Sequence, residues 1–169
     1  MNEAKIRLRA MEPEDLDVLY LIENDRTLWN VGVTNVPYSR YALHQYMASQ
    51  TGDAFADRQV RLIIEDAAGQ TVGIVDLINF EPQHRRAEVG IVVMNGQRRR
   101  GYAAAALREI AGYAAHTLHI HQLYAYVAED NLPSLHLFEK AGFEAQSVLK
   151  DWLFDGERYH DVRLMQLFL

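Results

Sequence analysis

Gly90-Ile91-Val92-Val93-Met94-Asn95-Gly96-Gln97-Arg98-Arg99-Arg100-Gly101-Tyr102-Ala103 changes character twice in one short span. An apolar, β-prone run stops, three arginines and a glycine follow, and an alanine-rich helical stretch begins at once. That order predicts a strand, a tight corner and a helix N-terminus. The first turn of a helix leaves backbone N–H groups without intrahelical partners and carries a partial positive charge, so an anion is stabilised there. Gly101 lets the backbone approach such an anion closely, and Arg98, Arg99 and Arg100 add local charge. The corner is not a P-loop, because no Lys-Ser/Thr pair follows the glycine, and it lacks the glycine spacing of the dinucleotide fingerprint. Two other readings are a solvated arginine-rich loop and a nucleic-acid patch. The patch is disfavoured by the net charge of −6 and by the absence of aromatic residues between the arginines.

The rest of the chain supports a globular protein around this corner. Its 169 residues suit a single domain, residues 1–169, with one core. With 49% hydrophobic and 24% charged residues the chain is not of disordered composition. Zero cysteines exclude disulfides, thiolate zinc sites and cysteine nucleophiles, and fit a reducing compartment. No signal-like start and no apolar run of 18 residues is present, so a cytoplasmic protein without a membrane partner is expected.

Periodicity predicts a strand over residues 6–9, then a helix opened by Pro13 with Leu16, Leu19, Tyr20 and Ile22 on its apolar side. A second helix is expected over residues 39–49. Strands follow over residues 59–64, 71–80 and 87–94, separated by turns at Ala68-Gly69 and residues 82–85. A helix over residues 100–118, a strand over residues 123–127 and a helix from Asn131 to its glycine stop at Gly142 come next. Two closing strands, residues 145–154 and 159–168, flank an Asp155-Gly156 turn. One α/β (α+β) mixed sheet of about seven strands, mostly antiparallel and covered by helices on both faces, would bury these elements.

The run Arg98-x-x-Gly101-x-Ala103 resembles motif A of the GNAT superfamily of acetyl-coenzyme A-dependent N-acetyltransferases. Downstream, Asn131-x-x-Ser134-x-x-Leu137-Phe138-x-x-x-Gly142-Phe143 resembles the motif B helix, and Leu123-Tyr124-Ala125-Tyr126-Val127 resembles the strand that splays from the motif A strand. The resemblance spans nearly the whole chain. Arg85-Arg86-Ala87-Glu88 and Phe154-Asp155-Gly156-Glu157-Arg158-Tyr159 are similar to spermidine N-acetyltransferases and their ribosomal-protein N-acetyltransferase relatives.

The resemblance implies the GNAT fold, with a splay between the fourth and fifth strands, and acetyl-CoA as acetyl donor. It implies that backbone groups of Ile91, Val92 and Val93 pair with the pantetheine arm, one N–H polarising the thioester carbonyl. Backbone N–H groups of Arg98, Arg99, Arg100, Gly101, Tyr102 and Ala103 would receive the pyrophosphate. Asn131 would reach the pantetheine arm, cap its helix, or do both. The implied reaction is acetyl transfer to a primary amine by direct attack. The acceptor is left open among a polyamine, a protein N-terminus and another small amine, and the alternative activity is a catalytically weak acyl-CoA-binding module.

Phe138 stands where many family members carry the tyrosine that reprotonates the departing thiolate; it reads as a core aromatic beside the cofactor. That leaves Tyr126 or Ser134 as proton donor, or water. Strict alternation places Glu88 on one face with Gly90 and Val92, where it would be a general base or the partner of Arg85 or Arg86. His116, His119, His121 and His136 suggest a metal less than helix-terminal histidines, so no metal is expected. Glu65-Asp66 and Glu23-Asn24-Asp25 read as turn residues. Val33-Thr34-Asn35-Val36-Pro37 is neutral where the matching loop of spermidine acetyltransferases is acidic, which lowers the polyamine reading. The apolar closing hairpin admits a homodimer.

Overall fold

The computed structural model describes residues 4–31 and 36–169. All its strands lie in one seven-stranded sheet of order β1-β2-β3-β4-β5-β7-β6. The strands are β1 (Ile6–Arg9), β2 (Val60–Asp66), β3 (Thr71–Glu81), β4 (Arg86–Val93), β5 (Gln122–Ala128), β6 (Glu144–Phe154) and β7 (Tyr159–Phe168). Every neighbouring pair is antiparallel except β4 and β5, as the helix-containing crossover between them requires. The helices are α1 (Leu16–Glu23), α2 (Arg40–Ala48), α3 (Ala54–Asp57), α4 (Tyr102–His116) and α5 (Leu132–Lys140).

Alternation along β4 sorts the two faces. Ala87 and Val89 join α4 residues Ala106, Leu107 and Ile110, and α5 residues Leu135 and Phe138, in the larger core. Val92 turns the other way, onto a smaller cluster of Ile22 from α1 with Ile63 and Ile74. Helices therefore cover both faces, as the apolar pattern predicts. Three short elements escaped the periodicity: 3-10 turns over Arg26–Val31 and Asn95–Gln97, and the single-turn α3. Each is too brief to show a 3.6-residue repeat.

The expected splay is present. β4 pairs with β5 only through Arg86↔Gln122, Ala87↔Leu123 and Glu88↔Tyr124, although both strands continue beyond those residues. On its other edge β4 is paired with β3 along its length, from Gly73↔Val93 to Glu81↔Arg86. Gly73 makes this possible: a Cβ there would lie 2.2 Å from the Val92 carbonyl oxygen. Gly73→Ala must therefore push β4 away from β3. Its unfolding midpoint in urea should fall by the equivalent of about 1–3 kcal/mol, the usual cost of overpacking.

Candidate active site

The strand, the tight corner and the helix start form as the sequence predicts. Arg99 takes the left-handed backbone at φ 63, and Gly101 follows at φ 82 as the N-cap of α4. A left-handed N-cap favours glycine, because an L side chain there crowds the following carbonyl. Gly101 supplies no capping side chain, and the first intrahelical bond runs from the Ala105 N–H to the Gly101 carbonyl at 3.1 Å. The N–H groups of Tyr102, Ala103 and Ala104 precede that bond and have no partner within the helix. Arg98 donates from Nε to the Val93 carbonyl at 3.1 Å, tying the corner to the end of β4. Arg99 and Arg100 extend into solvent. These features fit a pyrophosphate: Gly101 and Ala103 at the helix end, backbone donors without intrahelical partners, and exposed cations beside them.

The edge of β4 leads from this corner to Glu88. The Met94 N–H donates to the Val72 carbonyl at 2.9 Å. Alternation from that bond turns the backbone groups of Val92 and Gly90 toward β3, and those of Val89, Ile91 and Val93 toward the splay. Of the three residues expected to pair with a pantetheine arm, Ile91 and Val93 thus present their backbone to the open edge. Val92 does not; its N–H and C=O belong to the β3 ladder.

Glu88 and Tyr124 sit side by side at the closed end of the splay. Glu88 is half-buried and accepts a 2.8 Å hydrogen bond from Asn79 Nδ2. Asn79 reaches it from a left-handed position, φ 50, inside the irregular stretch of β3 between Ile78 and Glu81. The ion pair with Arg85 or Arg86 is not formed: Arg85 donates instead to the His119 carbonyl. Burial pushes the Glu88 carboxyl above its ordinary range, and the Asn79 hydrogen bond offsets part of that rise. Burial and then the Glu88 charge push the Tyr124 phenol up. Tyr124 therefore stays protonated near neutral pH, as a hydrogen-bond donor beside a carboxylate that gains a proton unusually easily. Tyr124 was missed in the sequence, although alternation along β5 puts it on the face of Tyr126. A polar cavity of about 470 Å³ adjoins the pair, lined by Asn79, Arg86 and Tyr124 among others.

The two expected proton donors lie on opposite sides of the sheet. Tyr126 shares its face with Tyr124 and Glu88, and its ring meets the Tyr124 ring edge-on at 5.7 Å. Ser134 belongs to α5, on the α4 side, where Leu135 and Phe138 enter the larger core. Phe138 is buried and packs edge-to-face against Phe143 at 5.0 Å, which is the packing role expected of it. Asn131 caps α5: its side chain accepts from the Ser134 N–H at 3.3 Å. Asn131→Ala should cost about 1 kcal/mol in a urea titration, the usual worth of such a cap.

The acidic residues read as turns divide. Asp66 accepts from the Ala68 and Gln70 N–H groups, and Asp25 from Thr27, as turn residues do. Glu65 and Glu23 are instead ion-paired, Glu65 with Arg7 and Arg9 of β1, and Glu23 with Arg61. These pairs join residues far apart in sequence, which local pattern does not reveal. His116 bonds the Gly112 carbonyl within α4. The neutral segment read at residues 33–37 lies, through Asn35, outside the described residues.

The family model of the acetyltransferase (GNAT) domain matches residues 5–144. The chain belongs to the GNAT acetyltransferase family. It is 28% identical to the spermidine N(1)-acetyltransferase of Vibrio cholerae over 164 residues, covering 97% of this chain and 93% of the relative. It is 24% identical to the spermidine N(1)-acetyltransferase of Escherichia coli, covering 96% and 86%. The crystal structure of the Vibrio cholerae spermidine N-acetyltransferase in complex with CoA and spermine superposes with a TM-score of 0.86 at 28% identity, covering 96% of this chain and 95% of that one. Like its relatives, this GNAT protein is an N-acetyltransferase that uses acetyl-CoA as acetyl donor and an amine as acceptor. Among the described residues no helix is long and apolar enough to cross a membrane.

Proposed function

We propose that the open edge of β4 between Glu88 and Gly101 is the acetyl-transfer site, with the cofactor end at α4 and the proton chemistry at Glu88. The carrying observation is the pairing of β4 with β5, which stops at Glu88↔Tyr124 and leaves the Ile91 and Val93 backbone facing the gap. The N–H groups of residues 98–103 hold the pyrophosphate, with Gly101 and Ala103 small enough to admit it. Ile91 and Val93 pair with the pantetheine arm, and the backbone donor nearest the thioester stabilises the oxyanion as the carbonyl carbon is attacked. Val92, Tyr102 and Phe138 shape the site by packing. Asn131 serves it by fixing the start of α5.

Glu88 takes a proton from the acceptor ammonium, its raised proton affinity suiting it to that task near neutral pH. Asn79 holds its carboxylate and Tyr124 donates to the acceptor or the carboxylate. The freed amine attacks the thioester carbonyl carbon, the C–S bond breaks as the adduct collapses, the thiolate leaves with the bonding pair, and the nitrogen sheds its extra proton to solvent. Tyr126, on the Glu88 face, is the phenol placed to return a proton; Ser134 is the less suited donor, being across the sheet. Cofactor binding followed by thiol release across an amine panel tests the site. Saturable coenzyme A binding with amine-dependent thiol release is expected. Release that stays at the amine-free rate throughout the panel would overturn the reading. We place the chain in the cytoplasm from its cysteine-free composition. The exposed Phe154 and Tyr159 at the tip of the closing hairpin are the surface through which a second copy of the chain would associate.

A further inference from the structure

At the closed end of the splay, the face of the sheet that carries Glu88 offers an acceptor two things: a half-buried carboxylate and an aromatic shelf. The carboxylates around Glu88 are already engaged. Asp76 stands opposite Gly90, two residues along from Glu88, on the same face. Both its oxygens accept from Arg61 at 2.8 Å, and the same guanidinium takes Glu23 at 2.5 Å. Arg61 in turn lies over the Tyr46 ring and is largely buried. A guanidinium held by two carboxylates in little water does not yield them to a mobile ammonium. Glu81 and Asp17 are engaged by Arg58 and Arg40. Glu88, held only by neutral Asn79, is the half-buried carboxylate at the closed end of the splay, and it has no cationic partner among the described residues.

Next to it, aromatic rings run outward across the sheet. Tyr124 meets Tyr126 edge-on, and Tyr126 stacks on Trp152 of β6 at 5.8 Å with 26° between the planes. Tyr126 is 41% and Trp152 55% exposed, so ring surface remains open to solvent beside the splay. Solvent-facing rings hold a hydrated ammonium weakly, whereas covering them with apolar area is favourable in proportion to that area.

We infer that the acceptor is a singly charged primary amine bearing a planar apolar group, its ammonium at Glu88 and its ring against Tyr126 and Trp152. This rests on the transfer site proposed above and specifies its substrate class. A polyamine would place its remaining ammonium groups along rings, and the part-buried carboxylate nearest Glu88, Asp76, is already held by Arg61.

The experiment compares kcat/KM, from thiol release, for 2-phenylethylamine, n-butylamine, 1,4-diaminobutane and spermidine at constant ionic strength. The aryl amine is expected to exceed n-butylamine by about tenfold, the worth of one ring contact. The two polyamines should fall below n-butylamine. Trp152→Ala should collapse the aryl-to-butyl ratio toward one, and Trp152→Phe should keep most of it. Trp152 is exposed, so the alanine variant should fold; its far-UV spectrum and melting temperature check this. Spermidine or the diamine as the best acceptor overturns the inference and leaves the transfer site standing. So does an aryl-to-butyl ratio indifferent to Trp152→Ala. No amine-dependent release with any of the four overturns both.

Discussion

Gly101→Glu is expected to weaken coenzyme A binding by at least about a hundredfold. Two charge-assisted hydrogen bonds of about 1.5 kcal/mol each, lost at tenfold per 1.4 kcal/mol, already account for that factor. The new side chain would start at the N-cap of α4 and put a negative charge where the helix end favours a phosphate. Gly101 sits at φ 82, so any L residue there is strained by about 1–2 kcal/mol. Gly101→Ala shares that strain without the charge, and its Cβ would meet only Ala4 Cβ, at 3.4 Å. The two variants should therefore melt at similar temperatures while calorimetry finds the large affinity loss in the glutamate variant alone. Equal affinities in both would remove the pyrophosphate from this corner.

Glu88→Gln should lower kcat/KM by about 10²–10⁴-fold, the usual worth of a general base, with coenzyme A affinity unchanged. The amide keeps an oxygen for Asn79 Nδ2 and removes the charge. Stability should move the other way. A carboxyl whose pKa is raised by folding holds its proton more tightly when folded. Its contribution is therefore full below the unfolded pKa and lost as pH rises through the folded one. At neutral pH the ionised Glu88 is a burden on the fold, and the glutamine variant should melt at an equal or higher temperature. In the parent protein the acid limb of kcat/KM should lie above the ordinary carboxylate range, and in the variant that limb should vanish. An unchanged pH profile in Glu88→Gln would show that another group takes the proton.

The corner and its strand were legible because the chain changes period there. An apolar run, an arginine cluster and an alanine-rich stretch have different periodicities, and Gly101 marks the break. The face of Glu88 follows from strand alternation alone, and Tyr124 could have been found the same way from Tyr126. What stayed hidden depends on register and long-range pairing. Asn79 reaches Glu88 only because β3 is irregular between Ile78 and Glu81, and no local pattern announces that irregularity. The division of labour along β4, with Ile91 and Val93 open and Val92 committed, needs the Met94–Val72 hydrogen bond to set its phase. Arg61 links Glu23 and Asp76 across elements that meet only in the folded sheet. Phe138 reads as packing from its helical spacing to Leu135, and Phe143, beyond the Gly142 stop, folds back into the same core.

A crystal structure of the protein with coenzyme A bound tests the account most directly. It should show pyrophosphate oxygens within hydrogen-bonding distance of the N–H groups at residues 98–103. It should also show the pantetheine arm paired with Ile91 and Val93 but not Val92, and the sulfur at the closed end of the splay beside Glu88 and Tyr124. A pyrophosphate seated away from α4, or a sulfur that ends far from Glu88, would contradict it.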